Sequence, residues 1–170
     1  MTNVLLTGAS RGIGLNLVRV LLKNPSRKVF ATCRDPTNAK QLDELRSQYP
    51  DRLFVEALTV NDESSIKALV DSLQQKKVTL QVLINNAGVY SGMEKETLLN
   101  STKESMMSVY ETNCVAPMLL IQNLYNNKLF AEHALVVNIS SIMGSITETT
   151  FAKRGVSYCC SKVCILFFIE

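Results

Sequence analysis

The chain has 170 residues, of which 46% are hydrophobic and 19% charged, and its formal net charge is +3. This length favours a single domain, and the composition is that of an ordinary globular protein. The small charge and the lack of a basic run argue against a nucleic-acid partner. No apolar segment approaches the about 20 residues that cross a bilayer, so a membrane protein is not expected. The five cysteines contain no C-x-x-C pair and the N-terminus lacks the features of a signal peptide, which favours a reducing, cytoplasmic location without a metal site.

Short apolar segments alternate along the chain with longer amphipathic segments. Each amphipathic segment is long enough to cross over a sheet, and this order predicts a doubly wound parallel α/β fold. The predicted strands are almost entirely apolar, as expected when helices cover both faces of a sheet. We predict strands at residues 4–7, 28–33, 53–57, 82–85 and 135–139, and helices near residues 12–23, 37–48, 64–75 and 104–129.

A glycine-rich turn follows the first predicted strand, with Gly8, Gly12 and Gly14 in the pattern G-x-x-x-G-x-G. Glycines at this spacing permit a tight turn and a close approach of the backbone to a pyrophosphate. The helix that begins near Gly12 would direct its free N–H groups and the positive end of its dipole at the phosphates. The position between a strand and an amphipathic helix favours a dinucleotide site over the alternative, a plain flexible turn.

Two further motifs accompany this turn: Asn85-Asn86-Ala87-Gly88 after the fourth predicted strand, and Tyr158-x-x-x-Lys162 near the end of the chain. With these motifs and the G-x-x-x-G-x-G spacing, the sequence resembles the short-chain dehydrogenase/reductase family over residues 3–162. The segment 139–146, Ile-Ser-Ser-Ile-Met-Gly-Ser-Ile, resembles the carbonyl reductases of the sniffer type within that family. The resemblance implies a Rossmann-like domain that reduces a carbonyl group with NADPH.

The resemblance also implies where the cofactor would bind. Members that prefer NAD carry an acidic residue at the end of the second strand, where this chain has Cys33. Arg11 and Arg34 can instead bind the 2′-phosphate of NADPH through forked hydrogen bonds, although both could simply be solvated surface residues. Thr59 stands where the family usually has Asp or Asn at the adenine edge. The expected cofactor-binding residues are Gly8, Ser10, Arg11, Gly12, Ile13, Gly14, Arg34, Thr59, Val60, Asn85, Ala87, Gly88, Tyr158 and Lys162.

The expected catalytic residues are Ser141, Tyr158, Lys162 and Asn113. Tyr158 and Lys162 are four residues apart, so a helix places them on one face, where the lysine cation would lower the pKa of the phenol and allow it to act as a general acid. The family pattern makes Ser141 the residue that binds the substrate carbonyl. Pro117 has no N–H and leaves the carbonyl of Asn113 without its helical partner; in the family this carbonyl holds a water of a proton relay, and a simple proline kink is the alternative.

The resemblance ends after Lys162, where relatives continue with further strands and helices. We therefore expect residues 1–162 to form an incomplete dinucleotide-binding domain, truncated after the fifth strand and the start of the next helix, and residues 163–170 to form an atypical apolar tail. Val163-Cys164 is compatible with a translated splice donor, so the tail is predicted to come from an intron; a shortened gene or an isoform is the alternative. Residues 148–156 are expected to reshape the substrate entrance.

The substrate is expected to be a small carbonyl compound, and a homodimer is possible if the chain were complete. Two other functions stay open: a truncated, non-catalytic NADPH-binding fragment, and a dehydratase or epimerase that shares the Tyr/Lys pair. A Ser-His-Asp hydrolase would have to use His133, the one histidine of the chain, which we expect at the surface.

Overall fold

The structure is a computed structural model that describes residues 1–90, 96–147 and 154–168. Five parallel strands form one sheet in the order β3-β2-β1-β4-β5 within this part of the chain. The sequence order reverses at β1, so the strands wind outward in both directions from the centre. The predicted doubly wound fold is confirmed. The elements are β1 Thr2–Leu6, α1 Gly12–Leu22, β2 Arg27–Cys33, α2 Lys40–Gln48, β3 Leu53–Ala57, α3 Glu63–Gln75, β4 Leu80–Asn85, α4 Lys103–Tyr110, α5 Ala116–Asn126, β5 Phe130–Asn138 and α6 Val156–Cys164.

Two apolar layers cover the two faces of the sheet. Alternate residues of a strand point to opposite faces, so Leu6 of β1 joins one layer and Leu5 joins the other. On the first face α1 and α2 contribute buried side chains such as Leu22 and Leu42. On the second face α3 and α5 contribute others, among them Leu69. Helices on both faces explain why the central strands are almost wholly apolar.

The fifth strand differs most from its prediction. It begins at Phe130, five residues before the predicted start at residue 135, and it pairs with β4 alone. Glu132, His133 and Leu135 are exposed on it, and Leu135 is 58% exposed. His133 therefore lies at the surface as expected, although within the strand and not before it. The start of β5 was not predicted, because its first residues include polar ones and the prediction relied on apolar segments. An edge strand need not be apolar on both faces.

The long helix predicted near residues 104–129 is divided into two. α4 ends at Tyr110, a π-turn spans Glu111–Val115, and α5 follows from Ala116. The π-turn ends two residues before Pro117, which removes one backbone donor from the helical pattern. Asn113, at the middle of the π-turn, is buried. The predicted long helix is thus interrupted by a π-turn close to the proline.

Some residues fall outside the described part of the chain. Most of the segment 148–156, predicted to reshape the substrate entrance, is among them, as are residues 169–170 of the predicted tail. α6 continues past Lys162 to Cys164, and a 3-10 turn Ile165–Phe168 follows it, with Ile165 buried and Leu166 exposed. The division at residues 162/163 stays a prediction. No helix within the described ranges is both long and apolar enough to cross a membrane.

Candidate active site

The glycine-rich turn connects β1 to α1 at the carboxyl edge of the sheet. Gly8 adopts a φ of +68°, a conformation that favours glycine. A Cβ atom on Gly14 would overlap the carbonyl oxygen of Gly8, so α1 packs against the turn only because residue 14 has no side chain. Asn86 fixes the turn from the neighbouring strand, since its Nδ2 donates to the carbonyl oxygens of Thr7 at 2.9 Å and Gly8 at 3.1 Å. These contacts hold the conformation of the turn.

The N-terminus of α1 is suited to an anion. Arg11 is its N-cap residue and its side chain makes no capping hydrogen bond, and the first turn contains no acidic residue. Helix α3 offers a contrast, because the carboxylate of Asp62 accepts hydrogen bonds from the amides of Ser64 and Ser65. An uncapped helix N-terminus presents free N–H groups and a positive partial charge. The predicted phosphate-binding residues therefore fit a pyrophosphate.

The end of β2 supports the expected preference for a phosphorylated ribose. Arg34 directly follows Cys33, and both Arg34 and Arg11 are exposed at the same edge of the sheet. The carboxylate next in the chain, Asp35, accepts hydrogen bonds from Thr37 and Asn38, and these bonds lower its pKa. That acidic group caps a 3-10 turn, Pro36–Asn38, that precedes α2. Both guanidinium groups face solvent and are available to a phosphate.

The other predicted cofactor residues lie at the ends of β3 and β4. Thr59 is half-buried and its N–H donates to Ser65 Oγ at 2.9 Å. Asn85 is buried, and its Nδ2 donates to Asn138 Oδ1 at 2.8 Å across the β4–β5 pair. A cavity of about 10 Å³, no larger than a water molecule needs, is bounded in part by Val60, Asn85 and Ala87. Gly88 is exposed beyond them.

The Tyr/Lys pair lies on α6, against the end of β5. The Nζ atom of Lys162 is 5.4 Å from the centre of the Tyr158 ring and donates a hydrogen bond of 2.7 Å to the carbonyl oxygen of Ile139. Lys162 is only 5% exposed, and this burial lowers its pKa. Lys162 is thus a buried cation held over the face of the tyrosine ring.

Ser141 completes the group. Its Oγ caps a short 3-10 turn, Ile142–Gly144, by accepting a hydrogen bond from Met143 N at 3.2 Å. Burial raises the pKa of Tyr158, and a side-chain hydrogen bond with Ser141 acts in the opposite direction. The net pKa of Tyr158 is thus raised and not lowered as expected, because burial has the largest effect on it. The Lys162 ammonium lies over the ring and bonds the carbonyl of Ile139.

Two close contacts hold the Ser141 turn against α6. Ser140 Oγ donates to the carbonyl oxygen of Lys162 at 3.1 Å. A Cβ atom on Gly144 would stand 2.7 Å from the same carbonyl oxygen, so the turn approaches the helix only because residue 144 is glycine. The positions of Ser141 and Tyr158 are therefore coupled through the backbone.

The side chain of Asn113 links three segments. Its Oδ1 accepts from Val89 N at 2.8 Å, and its Nδ2 donates to Val89 O at 2.9 Å and to Ser161 Oγ at 3.0 Å. The hydroxyl of Ser161 in turn donates to the carbonyl oxygen of Tyr158 at 2.8 Å. The π-turn, the loop after β4 and α6 are thus connected by one buried amide. The predicted relay role of the Asn113 carbonyl stays a prediction.

This geometry can be compared with known proteins. The family model described as short chain dehydrogenase matches residues 2–170. The chain belongs to the short-chain dehydrogenase family. A curated relative, the NADP-dependent 3-hydroxy acid dehydrogenase YdfG of Escherichia coli K12, is 30% identical over 151 residues, which are 84% of this chain and 55% of that protein. The chain spans about half the length of the curated relatives it matches.

Solved structures of family members have the same fold. The NADPH-bound carbonyl reductase from chicken fatty liver superposes with a TM-score of 0.86 at 38% identity, over 98% of this chain and 71% of that one. The carbonyl reductase Sniffer of D. melanogaster superposes with a TM-score of 0.85 at 26% identity, over 97% of this chain and 71% of that one. The predicted resemblance to sniffer-type members of the family is confirmed.

Sequence reasoning missed three residues beside the family's Tyr/Lys pair. The ring of Tyr90 contacts that of Tyr158 edge to face, with the centres 4.7 Å apart. Ser161, next to Lys162, bonds Asn113, and buried Glu96 bonds Ser157. Tyr90 lies two residues after the Asn-Asn-Ala-Gly motif, a position that could have been noticed. No sequence pattern indicated Glu96, because nothing local in the sequence places it near residue 157.

In the described part of the chain, no three or more potential metal-ligating side chains are grouped together.

Proposed function

We propose that the protein is an NADPH-dependent oxidoreductase that reduces an aldehyde or ketone to an alcohol. The observation that carries this proposal is the grouping of Tyr158, Lys162 and Ser141 where β5 and the start of α6 meet. Ligands of open α/β sheets bind at the carboxyl ends of the strands, which is where this group and the uncapped α1 N-terminus both lie. Solved relatives that are carbonyl reductases support the substrate class.

NADPH, when bound, supplies the hydride that adds to the carbonyl carbon. Tyr158 would give its phenolic proton to the carbonyl oxygen, which Ser141 would hold by a hydrogen bond. Burial raises the pKa of Tyr158, so its phenol stays protonated at neutral pH. A proton donor suits reduction, whereas the reverse oxidation requires the phenolate. The protonated phenol is therefore available as the acid of the reductive reaction.

The other residues hold this arrangement or the cofactor. Lys162 would bind the nicotinamide ribose with the same ammonium that now bonds Ile139. Arg11 and Arg34 would bind the 2′-phosphate through charge-assisted hydrogen bonds. Asn113 would continue a proton relay from Lys162 through its main-chain carbonyl, while its side chain keeps the π-turn against α6.

The experiment that tests the proposal separates binding from turnover. NADPH affinity is measured by nucleotide fluorescence, and NADPH oxidation is followed with a panel of aldehydes and ketones, for the wild-type chain and for Tyr158→Phe. We expect wild-type turnover, a loss of about 100-fold or more in the variant, and an NADPH affinity unchanged within about twofold.

Three outcomes would contradict the proposal or a part of it. NADPH binding by the wild-type chain without turnover of any carbonyl would identify a non-catalytic NADPH-binding fragment. Retained turnover in Tyr158→Phe would exclude Tyr158 as the acid. Equal affinity for NADPH and NADH would contradict the proposed cofactor.

A further inference from the structure

Glu96 is a buried carboxylate that the proposed reaction does not use. It is only 8% exposed, although it lies in a loop before α4. Its Oε1 accepts hydrogen bonds from Ser157 Oγ and from Ser105 Oγ, the latter at 3.3 Å, and its Oε2 accepts one from Ser157 N at 3.4 Å. Among the described residues, Glu96 forms no ion pair with Lys or Arg. A buried carboxylate is retained only if other donors stabilise it.

Those donors belong to the N-terminus of α6. Gly155 is the N-cap residue of this helix and has no side chain to satisfy the first amides, and the first turn carries no acidic residue. Glu96 takes over that role from another part of the chain. Its main-chain carbonyl accepts from Gly155 N at 2.8 Å, and its carboxylate accepts from the amide of Ser157. A negative charge at this end also stabilises the helix dipole.

The cap that Glu96 provides lies directly beside Tyr158 in the first turn of α6. Ser157, which gives Glu96 both a hydroxyl and an amide hydrogen bond, directly precedes Tyr158. Through Ser105 the same carboxylate holds α4, the helix that leads into the π-turn with Asn113. One side chain thus fixes the first turn of the helix that carries the tyrosine and joins it to the helix that leads to the asparagine.

We propose that Glu96 is a positioning residue for Tyr158: by capping α6 from a distant loop, it holds the tyrosine ring where it can reach Ser141 and the substrate carbonyl. This inference rests on the proposed function of Tyr158 as the general acid. Loss of the cap releases the first turn of α6 while the sheet and the cofactor edge keep their own contacts. The expected consequence is a slower chemical step with unchanged binding.

The test compares Glu96→Ala and Glu96→Gln with a matched control, Asp62→Ala. Asp62 caps α3 through the same kind of bonds, to Ser64 N and Ser65 N, and α3 carries no candidate catalytic residue. We expect Glu96→Ala to lower kcat by about tenfold or more, because small misplacements of a reacting group have effects of this size. KM and NADPH affinity should stay within about twofold. Glu96→Gln keeps an acceptor oxygen for Ser157 and should recover most of kcat, and Asp62→Ala should leave kcat unchanged.

A second readout does not depend on turnover. Titration of ¹³C-labelled tyrosine by NMR, with Tyr158→Phe used to assign the signal, reports the pKa of Tyr158. Glu96→Ala should lower this pKa toward the ordinary tyrosine value, because the ring loses the burial that raises it. Asp62→Ala should leave the titration unchanged.

The two proposals fail in different ways. If the wild-type chain reduces no carbonyl but the Tyr158 titration responds only to Glu96→Ala, the reductase proposal is wrong and the positioning role stands. If the wild-type chain is active and neither kcat nor the titration changes in Glu96→Ala, the positioning role is wrong. The same holds if Asp62→Ala lowers kcat equally, since a general loss of stability then explains the effect. If Glu96→Ala does not fold, Ser157→Ala takes its place, because it removes the hydroxyl that donates to Glu96. A lower kcat with unchanged NADPH affinity in Ser157→Ala supports the positioning role, and an unchanged kcat overturns it.

Discussion

The two halves of the molecule are held together by different forces. Strands β1 to β3 and helices α1 and α2 bury a nearly continuous apolar layer, exemplified by Leu6, Leu22 and Leu42. The segment from residue 96 to α6 contributes α5 to the second apolar layer, but it also buries polar groups against one another. Of the eight buried polar or charged side chains in the described part of the chain, five belong to this segment: Glu96, Asn113, Ser157, Ser161 and Lys162.

This difference separates stability from geometry. Apolar burial is non-directional, so it stabilises the sheet without fixing any single atom closely. Hydrogen bonds have preferred distances and angles, so the series of hydrogen bonds that joins Val89, Asn113, Ser161 and Tyr158 fixes where α6 lies. We therefore expect substitutions in the first half to change the free energy of unfolding, and those in the second half to change the chemistry or its pH dependence.

The largest expected effect is on stability, in the apolar half. Leu22→Ala on α1 removes a side chain that is 1% exposed and leaves a cavity, which should lower the free energy of unfolding by about 3 kcal/mol. Urea denaturation measures this change. Val20→Ala on the same helix removes an exposed side chain and should stay within about 0.5 kcal/mol. A similar loss of stability in both variants would contradict the burial argument, because only Leu22 is buried and alanine favours the helix at both positions.

A smaller effect, on binding alone, is expected at the cofactor edge. Arg34→Ala should weaken NADPH by about tenfold, equivalent to about 1.4 kcal/mol, and leave NADH binding unchanged, because only NADPH carries the 2′-phosphate. Isothermal titration calorimetry with both nucleotides measures the ratio of the NADPH affinity to the NADH affinity. Arg19→Ala, at the far end of α1, serves as the control. An unchanged NADPH/NADH ratio in Arg34→Ala would remove Arg34 from the phosphate site.

The smallest expected effect is a pH dependence in the polar half. The folded chain lowers the pKa of Lys162 because the ammonium is buried, so the unfolded chain binds this proton more tightly. Below the lowered pKa the buried charge therefore opposes folding. The opposition is relieved as the pH rises from that pKa to the ordinary lysine value.

Denaturation of the chains with and without Lys162→Met at a series of alkaline pH values measures how the free energy of unfolding changes as Lys162 loses its proton. In a Tyr158→Phe background, which removes the phenol titration, the chain with Lys162 should gain stability relative to the chain with methionine as the pH rises from the lowered pKa of Lys162 to the ordinary lysine value. The difference in the free energy of unfolding between the two chains includes a constant part from the lost hydrogen bond to Ile139. The change of that difference with pH depends only on the proton of Lys162. A stability difference that does not change with pH, or that changes in the opposite direction, would contradict the burial argument.

The sequence by itself predicted the order of elements and the shared edge of the site. Short apolar runs marked β1 to β4, and their parallel crossovers bring Gly8, Arg34, Val60 and Asn85 to one edge. The four-residue spacing of Tyr158 and Lys162 predicted one helix face, and both lie on α6. These predictions succeed because local periodicity and strand direction are properties of the chain itself. The early start of β5 was not predictable in this way, because an edge strand can carry polar residues.

Only the tertiary structure decided how the groups of the site act on one another. The spacing of Tyr158 and Lys162 suggested that the ammonium lowers the pKa of the phenol, but burial of the ring has the largest effect and raises it. Glu96 and Ser157 are 61 residues apart in sequence and share a buried hydrogen bond. Charge, burial and hydrogen bonding depend on distances in space, and the fold sets those distances through contacts between segments that no local pattern encodes.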